Sequence, residues 1–234
     1  MNSKENIFKS RRPLIAILRG ISPLEAESVS DVLIEAGISM IEVPLNSPKP
    51  YETIERMVKF HGENGIFGAG TVLKENEVYR VAEIGGKIIV SPNLNTLVIR
   101  KTKELNMLSF PGVFTASECF DALDAGADGL KFFPASLLKE DSFKALSAVL
   151  PKNIVSIAVG GIDESKFKSW LQVNITAFGL GSNLYKPGML IEEVKLKAQQ
   201  IVRSYDQCII DISCLLYTSP SPRDRTRSRM PSSA

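Results

Sequence analysis

Histidine and cysteine are scarce in this chain of 234 residues. His61 is the only histidine, and the three cysteines, Cys119, Cys208 and Cys214, have no paired spacing. A zinc ribbon or a metal centre needs several imidazoles or paired thiols, and a disulfide framework needs an even set of cysteines. We therefore expect no metal and no cofactor, and we interpret His61 as a solvent-exposed residue at the end of a surface helix.

Long apolar segments are absent as well. No run approaches the roughly 20 residues that a membrane span requires. The opening residues, MNSKENIFKSRRPL, contain no apolar core of a secretory signal. The sequence therefore predicts a cytoplasmic protein without a membrane partner.

An excess of charge of one sign is absent from most of the chain. The formal net charge is +2, and four arginines against two aspartates in residues 208–234 account for it. Residues 1–207 are then neutral overall and offer no basic face for nucleic acid. We expect the partner to be a small molecule, and no nucleic acid.

Residues 208–234 differ from the rest in composition. They end in SPSPRDRTRSRMPSSA, which is rich in Ser, Pro and Arg and has no apolar period. Such a composition does not build a packed core. We predict one folded domain over residues 1–207 and a disordered tail over residues 208–234, and we interpret the tail as non-native read-through or cloning sequence.

Short β-branched segments alternate with helical patterns over residues 13–205. Eight such segments, each followed by a helix, predict an α/β fold, a (β/α)8 TIM barrel in a single domain with a short N-terminal helix. An open doubly wound sheet is the alternative, but only a closed barrel collects the polar residues and glycines that follow nearly every strand into one ring. The predicted strands cover residues 14–18, 40–45, 66–70, 87–92, 107–112, 129–134, 155–161 and 177–182.

Glycines follow the last two predicted strands. The loop AVGGI contains Gly160 and Gly161, and the loop GLGS contains Gly181 and Ser182. In barrels these two loops often bind phosphate, because bare backbone N–H groups can approach the oxyanion closely. We predict a phosphate site there, with simple tight turns as the alternative.

One lysine interrupts the apolar segment ADGLKFFPAS. Lys131 stands in the sixth predicted strand, and Glu42 stands in the second, within SMIEVPLN. Strands of the same parity contribute to the same side-chain layers of a barrel, so the two groups can meet near its mouth. A buried ion pair rarely stabilises a protein more than apolar residues would, which favours a functional role over a structural one.

The surroundings of Lys131 indicate its chemistry. Burial beside phenylalanine disfavours the ammonium form, and a neutral amine is a nucleophile toward carbonyl groups, so we predict imine formation. Glu42 can transfer protons directly or through water. Arg19 ends the first strand and Thr71 follows the third, and both suit a carboxylate of the substrate. The predicted substrate is a small phosphorylated compound with a carbonyl group.

Eight motifs together resemble those of one enzyme family. AILRG, EVPLNSP, GAGTVL, SPN, PGVFTASE, LKFFPAS, AVGGI and GLGSNLY have the order and spacing of the short pyruvate-dependent class I aldolases, the KDPG/KHG aldolase family. The resemblance covers about Pro13 to Tyr205. It implies that Lys131 is the Schiff-base lysine and that Glu42 accepts and donates the proton. It also implies carboxylate binding near Thr71 and a homotrimer.

Two substrate types within this family differ in configuration at carbon 4. Gluconate-type enzymes usually carry LRT after the glutamate strand and a threonine before the Gly-Gly pair, whereas this chain has Leu45-Asn46-Ser47 and Val159. Val159 presents a methyl group in place of a hydroxyl, which removes a hydrogen bond that could select one epimer. The resemblance favours cleavage of the phosphogalactonate-type keto acid to pyruvate and D-glyceraldehyde 3-phosphate, with the gluconate epimer (KDPG) as the alternative.

Two interpretations outside this family remain open. One is another phosphate-binding barrel enzyme, such as a relative of thiamine-phosphate synthase or a pentose-phosphate isomerase, in which Lys131 only binds an anion. The other is a barrel without catalysis, in which Lys131 and Glu42 form a structural pair.

Overall fold

The computed structural model describes Phe8 and residues 11–218, with the backbone alone for residues 215–218. The predicted short N-terminal helix and the part of the predicted tail beyond residue 218 lie outside the described residues. Strands β1–β9 span Leu14–Ile17, Met40–Pro44, Ile66–Gly70, Ile88–Val90, Leu108–Phe110, Gly112–Val113, Gly129–Phe132, Val155–Val159 and Ala177–Leu180. Helices α1–α8 span Ala26–Ala36, Pro50–His61, Glu75–Glu83, Thr96–Glu104, Ala116–Asp124, Ala135–Ser147, Phe167–Gln172 and Ile191–Thr218.

The strands form one parallel sheet in the order β5-β4-β3-β2-β1-β9-β8-β7-β6. β5 and β6 are two halves of one strand, interrupted by Pro111, which has no N–H to donate. The ring closes through this strand. β5 pairs with β4, while the carbonyl of Ser109 accepts from the N–H of Asp128 at 3.0 Å and that of Pro111 accepts from Lys131 at 2.9 Å. The predicted eightfold barrel is confirmed, and the open sheet is excluded.

Two apolar layers enclose the strands. The smaller layer fills the barrel, and the larger one packs the helices against its outside. Side chains alternate across a strand, so Glu42 points inward like Met40, two residues earlier on β2. Lys131 pairs in register with Ile157 of β8, which also points into the barrel. The carboxyl group and the amine therefore both enter the barrel beside its apolar filling.

His61 occupies a different environment from the one predicted. It is 8% exposed, its Nε2 lies 2.8 Å from Oγ of Ser30 on α1, and its ring stacks on Phe67. The prediction of a solvent-exposed histidine is wrong, because α1 supplies a hydrogen-bond partner that allows the ring to be buried between α1 and Phe67 of β3.

The last helix continues past the predicted end of the domain. α8 runs from Ile191 to Thr218, so the predicted boundary at residue 207 falls inside it. The side chain of Cys208 packs against the core, which explains why the helix does not end there. The prediction of disorder is wrong for residues 208–218. No helix in the described part of the chain is long and apolar enough to cross a bilayer.

Candidate active site

A cavity of about 470 Å³ opens where the barrel strands end. Each of the nine residues predicted for catalysis or binding lies in its wall. Strand ends that are far apart in sequence thus converge on one site, as a closed barrel requires. These residues are Arg19, Glu42, Thr71, Lys131, Val159, Gly160, Gly161, Gly181 and Ser182.

Lys131 reaches the cavity from β7 and is only 7% exposed. Its Nζ lies 5.0 Å from the ring centroid of Phe133. Burial lowers the pKa of Lys131; the carboxylate of Glu42 opposes that shift, and the cation of Arg19 adds to it. A larger fraction of this amine is neutral, and hence nucleophilic, than for a lysine in water.

Glu42 faces the same cavity from β2 and is 2% exposed. Among the described residues its Oε2 has no hydrogen-bond partner, although the atom is buried. Burial raises the pKa of Glu42 from 4.5 to about 7, against the opposing effects of Lys131 and Arg19. A carboxyl group that titrates near neutral pH can both accept and return a proton, which is what a general acid–base requires.

Gly70, at the end of β3, makes room for this carboxyl group. A Cβ built on Gly70 would collide with Oε2 of Glu42. Any side chain at this position would therefore displace the carboxylate from its place in the cavity. The sequence drew attention to Thr71 in GAGTV and not to Gly70, because the steric role of a glycine becomes visible only when its neighbour is known.

The loop after β8 contains two consecutive glycines in left-handed conformation. Gly160 and Gly161 have positive φ values of 91° and 73°, which favour glycine. The carbonyl of Gly160 accepts from the N–H of Ser136 at 3.0 Å, and that of Gly161 accepts from Nζ of Lys166 at 2.7 Å. In a trans peptide the N–H points opposite to the carbonyl, so the N–H groups of Gly161 and Ile162 point away from these two donors. Successive N–H groups of this kind form an anion-binding concavity.

The loop after β9 forms the neighbouring wall. The carbonyl of Gly181 accepts from the N–H groups of Leu184 at 2.9 Å and Tyr185 at 3.1 Å, which folds this segment into a tight turn. Ser182 is exposed at the rim, and Nδ2 of Asn183 is buried without a partner among the described residues. Both side chains line the cavity, so a hydroxyl and an amide donor stand beside the glycine loop.

Arg19 and Thr71 form another part of the wall. Nη1 of Arg19 donates to Oδ1 of Asn46 at 2.6 Å, so the loop after β2 holds the guanidinium group. Thr71 has a φ of 57°, a left-handed conformation that is strained for a β-branched residue. Such strain is concentrated at binding sites, where the surrounding structure maintains it. A guanidinium and a hydroxyl at this place can bind a second anionic group, such as a carboxylate.

A family model described as KDPG and KHG aldolase matches residues 5–201. The chain belongs to the KDPG and KHG aldolase family. The match includes every residue that lines the cavity and ends before the composition changes near the C-terminus.

Two curated aldolases are similar to this chain over most of their length. The probable 2-dehydro-3-deoxy-6-phosphogalactonate aldolase of Rhizobium meliloti (strain 1021) is 49% identical over 195 residues, which cover 83% of this chain and 92% of the relative. The 2-dehydro-3-deoxy-6-phosphogalactonate aldolase of Escherichia coli (strain K12) is 41% identical over 202 residues, which cover 86% of this chain and 98% of the relative.

Two solved structures share the barrel. A native KDPGal structure superposes with a TM-score of 0.85 at 40% identity and covers 86% of this chain and 98% of its own. A cube-shaped, highly porous protein cage, designed by fusing symmetric oligomeric domains, gives a TM-score of 0.87 at 39% identity, with 89% of this chain and 77% of that chain covered. Both likenesses cover more than four fifths of this chain.

Sequence reasoning missed several residues in the wall of this aldolase-family cavity. Some directly follow the glycine loops that it did identify, so a search of whole loops could have found them. Lys166 lies further along the chain, and its place in the cavity wall and its hydrogen bond to Gly161 become visible only in the structure. The missed residues are Ile17, Ile162, Asp163, Lys166, Gly179 and Asn183.

Proposed function

We propose that the protein is a class I aldolase that cleaves 2-dehydro-3-deoxy-6-phosphogalactonate to pyruvate and D-glyceraldehyde 3-phosphate through a Schiff base on Lys131. The observation that carries this proposal is the placement of a buried amine and a buried carboxyl group in one cavity beside a loop built for an anion. The names of the two curated relatives support the choice of substrate.

The proposed reaction is a retro-aldol cleavage. The neutral Nζ of Lys131 attacks carbon 2 of the keto acid, and loss of water gives a protonated imine. Glu42, directly or through water, accepts the proton of the carbon-4 hydroxyl. The bond between carbons 3 and 4 breaks, its electron pair moves toward the imine nitrogen, and an enamine and glyceraldehyde 3-phosphate result. Protonation at carbon 3 and addition of water then release pyruvate and restore the amine.

The polarity of the cavity suits one orientation of this substrate. The N–H groups of Gly161 and the loop after β9, with Gly181 and Ser182, would bind the phosphate. Arg19 and Thr71 would bind the carboxylate, which leaves the keto carbon between the two ends. This orientation places the keto carbon beside the amine of Lys131. Binding of the two anionic ends then holds the nucleophile and the carbon that it attacks in position for the reaction.

Val159 supports the galactonate type over the gluconate type. Its side chain lines the cavity one residue before the glycine loop, so it can contact the middle of a substrate whose phosphate lies in that loop. A valine presents no hydroxyl there, and a missing hydrogen bond changes the relative binding of two epimers.

Chemical trapping tests the imine. Reduction with borohydride in the presence of pyruvate should give a stable adduct on the peptide that contains Lys131, detected by mass spectrometry. The Lys131→Met variant should lose both the adduct and turnover while it retains the fold. An unmodified wild-type peptide would contradict the Schiff-base mechanism, and an adduct without cleavage of either epimer would contradict the proposed substrate.

The substrate epimer needs a separate assay. Pyruvate release from the 6-phosphogalactonate and 6-phosphogluconate keto acids can be compared by coupling to lactate dehydrogenase. We expect a higher kcat/KM for the galactonate compound, and a lower preference in a Val159→Thr variant. Equal rates, or a preference for the gluconate compound, would contradict the role given to Val159.

We also propose a homotrimer in the cytoplasm. The designed cage that resembles this chain was made from symmetric oligomeric domains, which supports self-association. Exposed apolar side chains, among them Leu97, Phe120 and Leu137, offer surface that another copy could cover. A cytoplasmic location fits a substrate that is multiply charged. Light scattering should give three times the mass of one chain, and a single-chain mass would contradict the trimer.

A further inference from the structure

Lys166 lies at the edge of the predicted phosphate site without an assigned role. It ends a short 3-10 turn, Glu164–Lys166, that follows the loop after β8. Its side chain is half-buried and lines the cavity, and its Nζ donates to the carbonyl of Gly161 at 2.7 Å. The ammonium group is therefore attached to the loop after β8, which lines the same cavity.

The charges at this end of the cavity leave the ammonium group available. Asp163 is the other charged residue in this part of the wall, and its Oδ1 accepts hydrogen bonds from the N–H and the hydroxyl of Ser165. In the described part of the chain, the side chain of Lys166 forms no ion pair, and its one hydrogen bond is that to Gly161. A lysine ammonium has three N–H donors, so two of them remain for a ligand.

Backbone N–H groups can bind phosphate, but they carry only partial charges and do not neutralise a dianion. A lysine adds a full positive charge and can bind a phosphate oxygen as a point charge. Because Nζ is already tethered to Gly161, it lies next to the loop before the ligand arrives. Less side-chain freedom is then lost on binding than for a lysine that extends into solvent.

We propose that Lys166 is a substrate-binding residue that contacts the phosphate group and sets the preference for phosphorylated over unphosphorylated keto acids. This inference rests on the proposed function, since it assumes that the phosphate of the substrate lies in the glycine loop. Among the described residues, Lys166 forms no hydrogen bond or ion pair with Lys131 or Glu42, so we expect it to act on binding and to leave the chemical steps to the buried pair.

The test compares two substrates across three variants. Lys166→Met removes the charge, Lys166→Arg keeps it, and Lys168→Met removes an exposed charge two residues away that does not line the cavity. The substrates are the 6-phosphorylated keto acid and the same compound without phosphate, both assayed by pyruvate release. Inorganic phosphate serves as a competitive probe of the site itself.

We expect Lys166→Met to raise KM for the phosphorylated substrate about tenfold, the size of one charge-assisted hydrogen bond, with kcat nearly unchanged. The inhibition constant of inorganic phosphate should rise by a similar factor, while kcat/KM for the unphosphorylated substrate stays the same. Lys166→Arg should recover most of the affinity, and Lys168→Met should behave like the wild type.

Two results would overturn the inference. An unchanged KM and phosphate inhibition constant in Lys166→Met would exclude a contact with phosphate. An equal loss on both substrates would indicate that Lys166 only supports the structure of the loop. The borohydride adduct with pyruvate depends on Lys131 and not on phosphate, so a missing adduct in the wild type would mark a failure of the proposed function instead.

Discussion

Replacing the buried carboxyl group of Glu42 with an amide, in a Glu42→Gln variant, is expected to raise stability and lower activity at the same time. The folded-state pKa of Glu42 is about 7, above its ordinary value of 4.5, because burial disfavours the charged form. The folded protein therefore holds this proton more tightly than the unfolded chain does. Its stability falls as the pH rises from 4.5 to 7, and the full cost is present above pH 7.

The shift sets the size of the effect. One pKa unit corresponds to about 1.4 kcal/mol, so the raised pKa of Glu42 lowers the free energy of unfolding by about 3 kcal/mol at pH 8, where the group is ionised in both states, and by about 1 kcal/mol at pH 5, where only the unfolded chain is mostly ionised. Glutamine has nearly the shape of the protonated carboxyl group and never ionises. The variant should therefore gain about 3 kcal/mol of unfolding free energy at pH 8 and about 1 kcal/mol at pH 5. Loss of the proton acceptor should reduce kcat by roughly 10² to 10⁴.

Urea unfolding at the two pH values measures the stability, and pyruvate release measures kcat. Asp128→Asn is the matched control, since the side chain of Asp128 is 13% exposed and its Oδ2 accepts from Nζ of Lys103 at 2.5 Å and from the N–H of Ser109 at 2.8 Å. This carboxylate has two hydrogen-bond donors at Oδ2 and lies outside the cavity, so the control should lose about 1 to 3 kcal/mol while kcat stays close to that of the wild type.

A structural role for the Lys131–Glu42 pair leads to the opposite result. If the pair stabilised the barrel, Glu42→Gln would lose stability at pH 8, as Asp128→Asn does. A destabilised Glu42→Gln variant, or one that keeps the wild-type kcat, would refute the reasoning that connects burial of this carboxyl group with proton transfer.

Three further perturbations test the surroundings of the pair. Gly70→Ala should lower kcat at least about tenfold while the fold is retained, because the added Cβ must displace the carboxyl group of Glu42. Steady-state kinetics measures kcat, circular dichroism measures the fold, and a normal kcat would contradict the contact. Asn46→Ala removes the Oδ1 acceptor that lies 2.6 Å from Nη1 of Arg19, so KM for the keto acid should rise about threefold to tenfold with a smaller change in kcat. Unchanged kinetics would show that Asn46 does not position Arg19. A chain shortened after Thr218 should keep the wild-type kcat, since the residues of the cavity end at Asn183; a reduced kcat would assign a function to the tail.

The positions of the strands could be predicted because each strand is a short β-branched segment between two helical patterns. Each predicted segment overlaps an observed strand, and the predicted start agrees to within one residue. The meeting of Glu42 with Lys131 was also predictable, because alternation along a strand and the shared parity of their strands leave few other arrangements. Local pattern and barrel symmetry together determine this part of the site.

Other features depend on contacts that no local pattern contains. The burial of His61 requires the hydroxyl of Ser30 on another helix, and a polar residue gives no sign of whether a distant partner exists. The fifth barrel strand is divided into β5 and β6 at Pro111, which has no N–H to donate to a neighbouring strand. Whether a missing N–H interrupts a strand depends on the neighbouring strand that would have accepted the hydrogen bond. The continuation of α8 past residue 207 depends on Cys208 packing against the core. Each case is decided by tertiary structure.

The two ends of the cavity use electrostatics in different ways. Burial raises the pKa of Glu42 and lowers that of Lys131, so the two pKa values lie closer together than those of the same groups in water. A proton transfer from Lys131 to Glu42, which converts the ionised pair into the neutral pair, therefore costs less free energy than it would in water. Protons can then move at low cost during imine formation and carbon–carbon cleavage. The glycine loop instead has backbone N–H groups, and the side chain of Lys166 is hydrogen-bonded to its Gly161 carbonyl. A barrel can combine both because its strands separate a buried interior from an open rim, so one cavity can hold a pair of titratable groups whose burial is costly together with the proposed anion site at the solvated rim.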